Sequence, residues 1–115
     1  MSRDGGAARA VALALAAVVA PAAIAADADA DVLAQGRALF LQGASPPCAL
    51  CHTLNDAGAS GAIGPVLDEL QPGPERVLSA MRNGIGLMPS FKTTLDEAQM
   101  RALARYVSKA SGGAK

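Results

Sequence analysis

The sequence predicts an all-α domain of three to four helices, and three observations predict it. Apolar residues recur at three- and four-residue intervals in the stretches 31–42, 74–83 and 94–110, the period of a helix with one buried face. Each stretch is bounded by residues that start or stop helices: Asp31 and Gly43, Pro74 and Gly84, Thr94 and Gly112-Gly113. Between them there is no alternating strand-like run, no strand pair, no internal repeat and no second domain.

The chain begins with a segment of another kind. Arg3 and Arg9 give a basic start, Ala10 to Ala20 is an unbroken apolar run, and Pro21 ends it. Ala23-Ile24-Ala25 then offers a small-x-small cleavage pattern. This is the layout of a secretory signal peptide over residues 1–26. The competing reading, an uncleaved anchor, has an apolar run too short to span a bilayer comfortably. There is no Cys at the cleavage point for a lipid anchor, and Arg3 and Arg9 are not adjacent, so no twin-arginine signal is present.

Cleavage after Ala25 or Ala26 leaves one domain, 27–115, of about 90 residues. From Asp27 onward eight Lys and Arg stand against nine Asp and Glu, a net charge of −1. Such a balance carries no basic stripe for nucleic acid. The chain has one Tyr, two Phe and no Trp. A domain this small and poor in aromatics has difficulty building a stable core alone, and a large apolar prosthetic group would supply what is missing.

In chain order, Asp27 to Asp31 alternates Ala and Asp and reads as a solvated leader. The first helix is expected from Asp31, a suitable cap, to Gln42, with Val32, Leu33, Leu39 and Phe40 on its apolar side. Gly36 in mid-helix costs about 1 kcal/mol against Ala, which close approach of another helix would explain. Residues 55–64 carry three Gly and no period and read as a loop. A second helix is expected over Pro74 to Asn83, with Val77, Leu78 and Met81 as its buried stripe. The last is expected from a Thr94/Glu97 capping box to about Ala110, burying Leu95, Met100, Leu103, Ala104 and Val107 with Tyr106 beside them.

Between the first two helices lies Cys48-Ala49-Leu50-Cys51-His52. C-x-x-C-H is the attachment pattern of a c-type haem. Two thiols three residues apart can each form a thioether to one vinyl group of the same porphyrin. The adjacent imidazole of His52 is then held where it can ligate the iron. A thioredoxin-like redox pair would need a βαβ context that is missing here. A zinc site would need a fourth ligand beyond two Cys and the single His. A Cys48–Cys51 disulfide would close too small a ring to anchor the chain.

With His52 the only histidine, the sixth iron ligand is Met, Lys, an amine, water or nothing. Met81 and Met100 sit at apolar helical positions and read as core. Met88 lies instead in a Gly-rich loop, after Gly84 and Gly86 and before Pro89, and a thioether there suits low-spin iron. Met88 is therefore the expected distal ligand. Pro65, after Gly64, reads as stiffening a turn; the alternative is that its free carbonyl accepts a hydrogen bond from the second ring nitrogen of His52.

These residues, in the order Cys48, Cys51, His52, Gly64-Pro65, Met88-Pro89, resemble those of the class I c-type cytochromes across the whole of 27–115. The resemblance implies a small cytochrome c fold, with three to four helices around a covalently bound haem c and the terminal helices crossing at Gly36. It implies thioethers at Cys48 and Cys51, His52 as proximal and Met88 as distal iron ligand, and the Pro65 carbonyl as hydrogen-bond partner of His52. More narrowly, the stretches Cys48 to Pro65 and Gly84 to Phe91 are similar to the small haem subunit of bacterial sulfite dehydrogenases, which takes electrons from a molybdenum-containing partner. The chain departs from many family members in keeping only Lys92, Lys109 and Lys115, so strong electrostatic steering is not expected.

The expected function is periplasmic one-electron transfer, as a shuttle or the electron-accepting subunit of an oxidoreductase, delivering to a downstream cytochrome or oxidase. The expected docking edge is apolar, formed by Pro46, Pro47, Ile85 and Leu87. No catalytic residue, nucleic-acid partner or stable membrane insertion is expected. The alternative is a haem protein with an open or labile sixth site that binds a small ligand or has peroxidase-like activity. The absence of a second His argues against peroxidase work. The sequence does not identify the partners of the haem propionates; Arg82 and Lys92 are candidates that no motif supports.

Overall fold

The computed structural model describes residues 1–2, 5–17 and 22–114. Arg3 and the stretch 18–21 of the expected signal peptide, Pro21 included, lie outside the described residues, as does Lys115. Three longer helices, α1 (Ala22–Ala38), α4 (Pro74–Asn83) and α5 (Glu97–Ser111), frame the domain, with one-turn helices α2 (Cys48–Cys51) and α3 (Leu67–Leu70) between them.

α1 begins at Ala22, nine residues before the expected Asp31 cap. Alanine is the best helix former, so the Ala-Asp alternation of 27–31 continues the helix instead of preceding it. Arg105 on α5 also anchors this turn through an ion pair with Asp29 at 2.7 Å. At its other end α1 widens into a π-helical turn, Leu39–Gly43, where Leu39 and Phe40 are both buried. The expected crossing at Gly36 is present. A Cβ built there would lie 2.5 Å from the Tyr106 Cβ and would also collide with the Ala102 carbonyl oxygen. Only glycine lets α1 and α5 approach this closely.

The chain is helix-rich without being strictly all-α, a correction to the expectation. β1 (Thr53–Leu54) pairs antiparallel with β2 (Ala59–Ser60), Thr53 opposite Ser60 and Leu54 opposite Ala59. A 3₁₀ turn, Asn55–Ala57, joins them, and Gly58 closes it at φ 63°. Two-residue strands are too short to show alternation in a sequence, so this segment read as a loop.

α4 has the expected bounds, with Pro74 in its first turn. The capping box of α5 is Asp96/Gln99, not Thr94/Glu97. The Asp96 carboxylate accepts from the Gln99 amide at 2.8 Å, and the Gln99 side chain accepts from the Asp96 amide at 3.0 Å. Packing decides between the two boxes. Leu95 just before the cap and Met100 in the first turn are both buried, the placement of a hydrophobic staple. Thr94 and Leu95 instead close a turn onto the Phe91 carbonyl. The core gathers Phe40, Leu54, Leu103 and Tyr106, with Phe40 and Tyr106 edge-to-face at 6.1 Å between ring centroids. Among the described residues no helix is long and apolar enough to cross a membrane.

Candidate cofactor site

A cavity of about 720 Å³ opens between α2, α4 and the 84–91 loop, within the usual range of cofactor and small-molecule sites. Phe40, Leu103 and Val107 contribute to its apolar wall. The five residues singled out in the sequence, Cys48, Cys51, His52, Pro65 and Met88, all line this one cavity.

Cys48 and Cys51 occupy the first and last positions of α2, which starts at the extended Pro47. Both are half-buried and neither forms a disulfide. Burial pushes the Cys48 thiol up to about 11, with the neighbouring Cys51 adding to the effect and a backbone hydrogen bond opposing it. A redox dithiol would show the opposite shift, toward thiolate. Among the described residues no three His, Cys, Asp or Glu side chains cluster to hold a metal ion.

His52 follows α2 in extended conformation, its amide bonded to the Cys48 carbonyl at 2.9 Å. Its Nδ1 lies 2.8 Å from the Pro65 carbonyl oxygen. A carbonyl only accepts, so Nδ1 carries a proton, and in the neutral ring the lone pair is then on Nε2. Two glycines shape this wall. A Cβ at Gly64 would sit 2.6 Å from His52 Cε1, and one at Gly61 would sit 2.6 Å from the Cys51 carbonyl carbon and the His52 nitrogen. The Gly64 amide also donates to the Cys51 carbonyl at 2.7 Å. Their roles were hidden in the sequence because 55–64 carried no period.

Met88 is presented by a tight turn. The amides and carbonyls of Ile85 and Met88 exchange hydrogen bonds at 3.0 and 2.9 Å, and Gly86 at the first central position has φ 55°, which suits a II′ turn. Gly84, at φ 68°, lies against the Met88 carbonyl, where a Cβ would come within 2.8 Å. Two bonds return the loop to α4: Ser90 Oγ donates to the Arg82 carbonyl at 2.6 Å and the Phe91 amide to the Met81 carbonyl at 2.7 Å. Met81 is buried as expected and also reaches the cavity, whereas Met100 does not line it.

The rim is apolar. Ile85 and Leu87 are 71% and 89% exposed and Ile63 is 65% exposed, and all three border the cavity together with Pro46 and Pro47. The two propionate candidates are not brought there. Neither Arg82 nor Lys92 lines the cavity, and Arg82 is ion-paired with Glu97. Apolar walls, paired thiols, an imidazole with a free Nε2 and a glycine-lined bed under that ring form a donor set that fits a covalently held haem.

The family model described as cytochrome c oxidase, cbb3-type, subunit III matches residues 31–107. Among solved structures, the crystal structure of the c-type cytochrome SorU from Sinorhizobium meliloti is similar. It is 52% identical in sequence with a TM-score of 0.69, over 72% of this chain and 94% of that one. Comparison with curated protein sequences gives no significant match.

Proposed function

The chain belongs to the c-type cytochromes, in the family of the cbb3-type oxidase subunit III domain, and carries a covalent c-type haem; on that premise we propose that it is a periplasmic one-electron carrier with His52–Met88 ligation. Cys48 and Cys51 form the thioethers, His52 is the proximal ligand through Nε2, and Met88 is the distal ligand. The observation that carries this reading is that all four, with Pro65, line one apolar cavity.

When bound, the haem supplies a one-electron ferric/ferrous couple. The rest is done by the chain. The Pro65 carbonyl fixes the tautomer and tilt of His52 and makes its Nε2 more basic. The Ile85–Met88 turn holds the thioether on a short, doubly bonded loop, so little rearrangement accompanies electron gain or loss. The exposed Ile85 and Leu87 offer the partner an apolar contact. The donor in this reading is a molybdenum-containing sulfite dehydrogenase subunit and the acceptor a downstream cytochrome or oxidase; the similarity of 48–65 and 84–91 to sulfite dehydrogenase haem subunits supports it.

Export fits the helical start of α1. Removal of residues 1–26 would leave α1 opening on Asp27, Asp29 and Asp31, acidic side chains at the positive end of the helix. The Asp29–Arg105 ion pair would be retained.

Optical spectra of the exported protein, oxidised, reduced, and reduced under carbon monoxide, test the reading. A low-spin c-type spectrum with the methionine–ferric charge-transfer band, unmoved by carbon monoxide, is expected. A high-spin spectrum or a rapid carbon monoxide shift would instead establish an open sixth site and a ligand-binding protein.

A further inference from the structure

One face of α4 brings Arg76, Ser79 and Asn83 to the cavity, at the three- and four-residue spacing that aligns side chains along a helix. The other titratable groups on the lining are Cys48, Cys51 and His52; the π-turn, α3, the 84–91 loop and α5 place no ionisable side chain there. Arg82, Arg101 and Arg105 each pair with a carboxylate. Among the described residues Arg76 has no such partner. Asn83 Nδ2 donates to Ser79 Oγ at 3.3 Å, which leaves the Ser79 hydroxyl proton free to donate in turn. A wall that is otherwise apolar thus carries one polar stripe, headed by an arginine with no carboxylate partner among the described residues.

Resting on the haem reading above, we propose that Arg76, supported by Ser79 and Asn83, is the carboxylate-binding edge of the cavity and holds a haem propionate. The porphyrin of a c-type haem carries two propionates, and an anion against apolar walls is costly unless it is paired. A guanidinium matches a carboxylate with two parallel hydrogen bonds, which an ammonium cannot do. Arg76 is therefore a positioning residue that also compensates negative charge near the iron, favouring the ferrous state.

The test uses the exported holoprotein as wild type, Arg76→Gln, Arg76→Lys and Arg82→Gln. The last removes the same charge from the same helix, away from the cavity. Midpoint potentials are measured from pH 5 to 9, together with redox-difference infrared spectra in the carboxylate region. Arg76→Gln is expected to lower the potential, so that the ferric-to-ferrous ratio at a fixed applied potential rises severalfold. It is also expected to introduce a fall in potential with rising pH as the released carboxyl titrates, and to move the carboxylate band. Arg76→Lys keeps most of the potential but still moves the band, and Arg82→Gln changes neither slope nor band.

Haem-loaded Arg76→Gln that overlays wild type in potential, slope and band overturns the proposal while the haem reading stands. Wild type exported without haem overturns the reading beneath it. If Arg76→Gln fails to mature, Ser79→Ala/Asn83→Ala carries the test: a shifted carboxylate band supports the stripe, and an unmoved one overturns it.

Discussion

The Tyr106 hydroxyl donates a 2.6 Å hydrogen bond to the Asp56 carboxylate. One residue thereby serves two parts of the fold. The Cβ of Tyr106 lies under Gly36 at the crossing of α1 and α5, its ring meets Phe40 edge-on, and its hydroxyl holds the turn that follows the C-x-x-C-H segment. The helix crossing and the proximal wall of the cavity are thus mechanically joined.

Tyr106→Phe should cost about 1.5–3 kcal/mol, the range for a hydrogen bond to a charged group. Burial first, then the bond to Asp56, raises the phenol above its ordinary value. The unfolded phenol ionises near pH 10, the folded one only higher. Its stabilisation is therefore complete below about pH 10 and is lost as pH rises beyond it. Urea unfolding at pH 7 and about pH 10.5 should show the gap between wild type and Tyr106→Phe narrowing at the higher pH; a gap that widens would contradict the assignment.

Gly36→Ala places a methyl against the Ala102 backbone and the Tyr106 Cβ, atoms that have no free rotation with which to escape. A loss of about 2 kcal/mol is expected, a fall in Tm of roughly 10 °C for a domain of this size. An unchanged Tm would mean that α1 and α5 do not cross here as described.

Gly64→Ala pushes into the His52 ring and should act on the ligand more than on the fold. The expected result is a high-spin fraction in the ferric spectrum, with far-ultraviolet circular dichroism unchanged. Gly73→Ala, where a Cβ meets nothing within 4 Å, serves as the comparison and should leave the spectrum as in wild type.

Ser108 is fully buried, and its hydroxyl has no hydrogen-bond partner among the described residues. Ser108→Ala removes an unmet polar group and should stabilise the protein by about 1 kcal/mol. Thermal unfolding checks this, and a clear loss of stability would reveal a partner for the hydroxyl.

Most of this architecture was legible where residue type and spacing act together. Chemistry marked Cys48, Cys51 and His52 as candidates and an unexplained place in a glycine loop marked Met88, and all four line the cavity; Gly36 was marked by its cost inside a helix, and it lies at the crossing. What stayed hidden depended on partners distant in sequence. Gly61 and Gly64 matter because they lie against Cys51 and His52, and nothing in 55–64 alone discloses that. Sequence pattern alone places the capping box of α5 at Thr94/Glu97, and burial of Leu95 and Met100 sets the cap two residues later, at Asp96. The early start of α1 follows from alanine propensity together with Arg105, which lies 76 positions from Asp29 in the chain. Which arginine lines the cavity was hidden for the same reason: Arg82 is paired with Glu97, while Arg76 lies on the lining.

Met81 and Met88 both reach the cavity, so the central claim is tested by asking whether a methionine sulfur ligates the iron and, if so, which one. The most direct measurement is the NMR spectrum of the reduced holoprotein labelled with ¹³C at the methionine methyls. The ring current of the porphyrin should carry the ε-methyl of the ligating methionine far upfield of all other protein signals. The account predicts one such resonance, kept in Met81→Leu and lost in Met88→Leu. A shifted methyl that survives Met88→Leu, or its absence from wild type, would contradict His52–Met88 ligation.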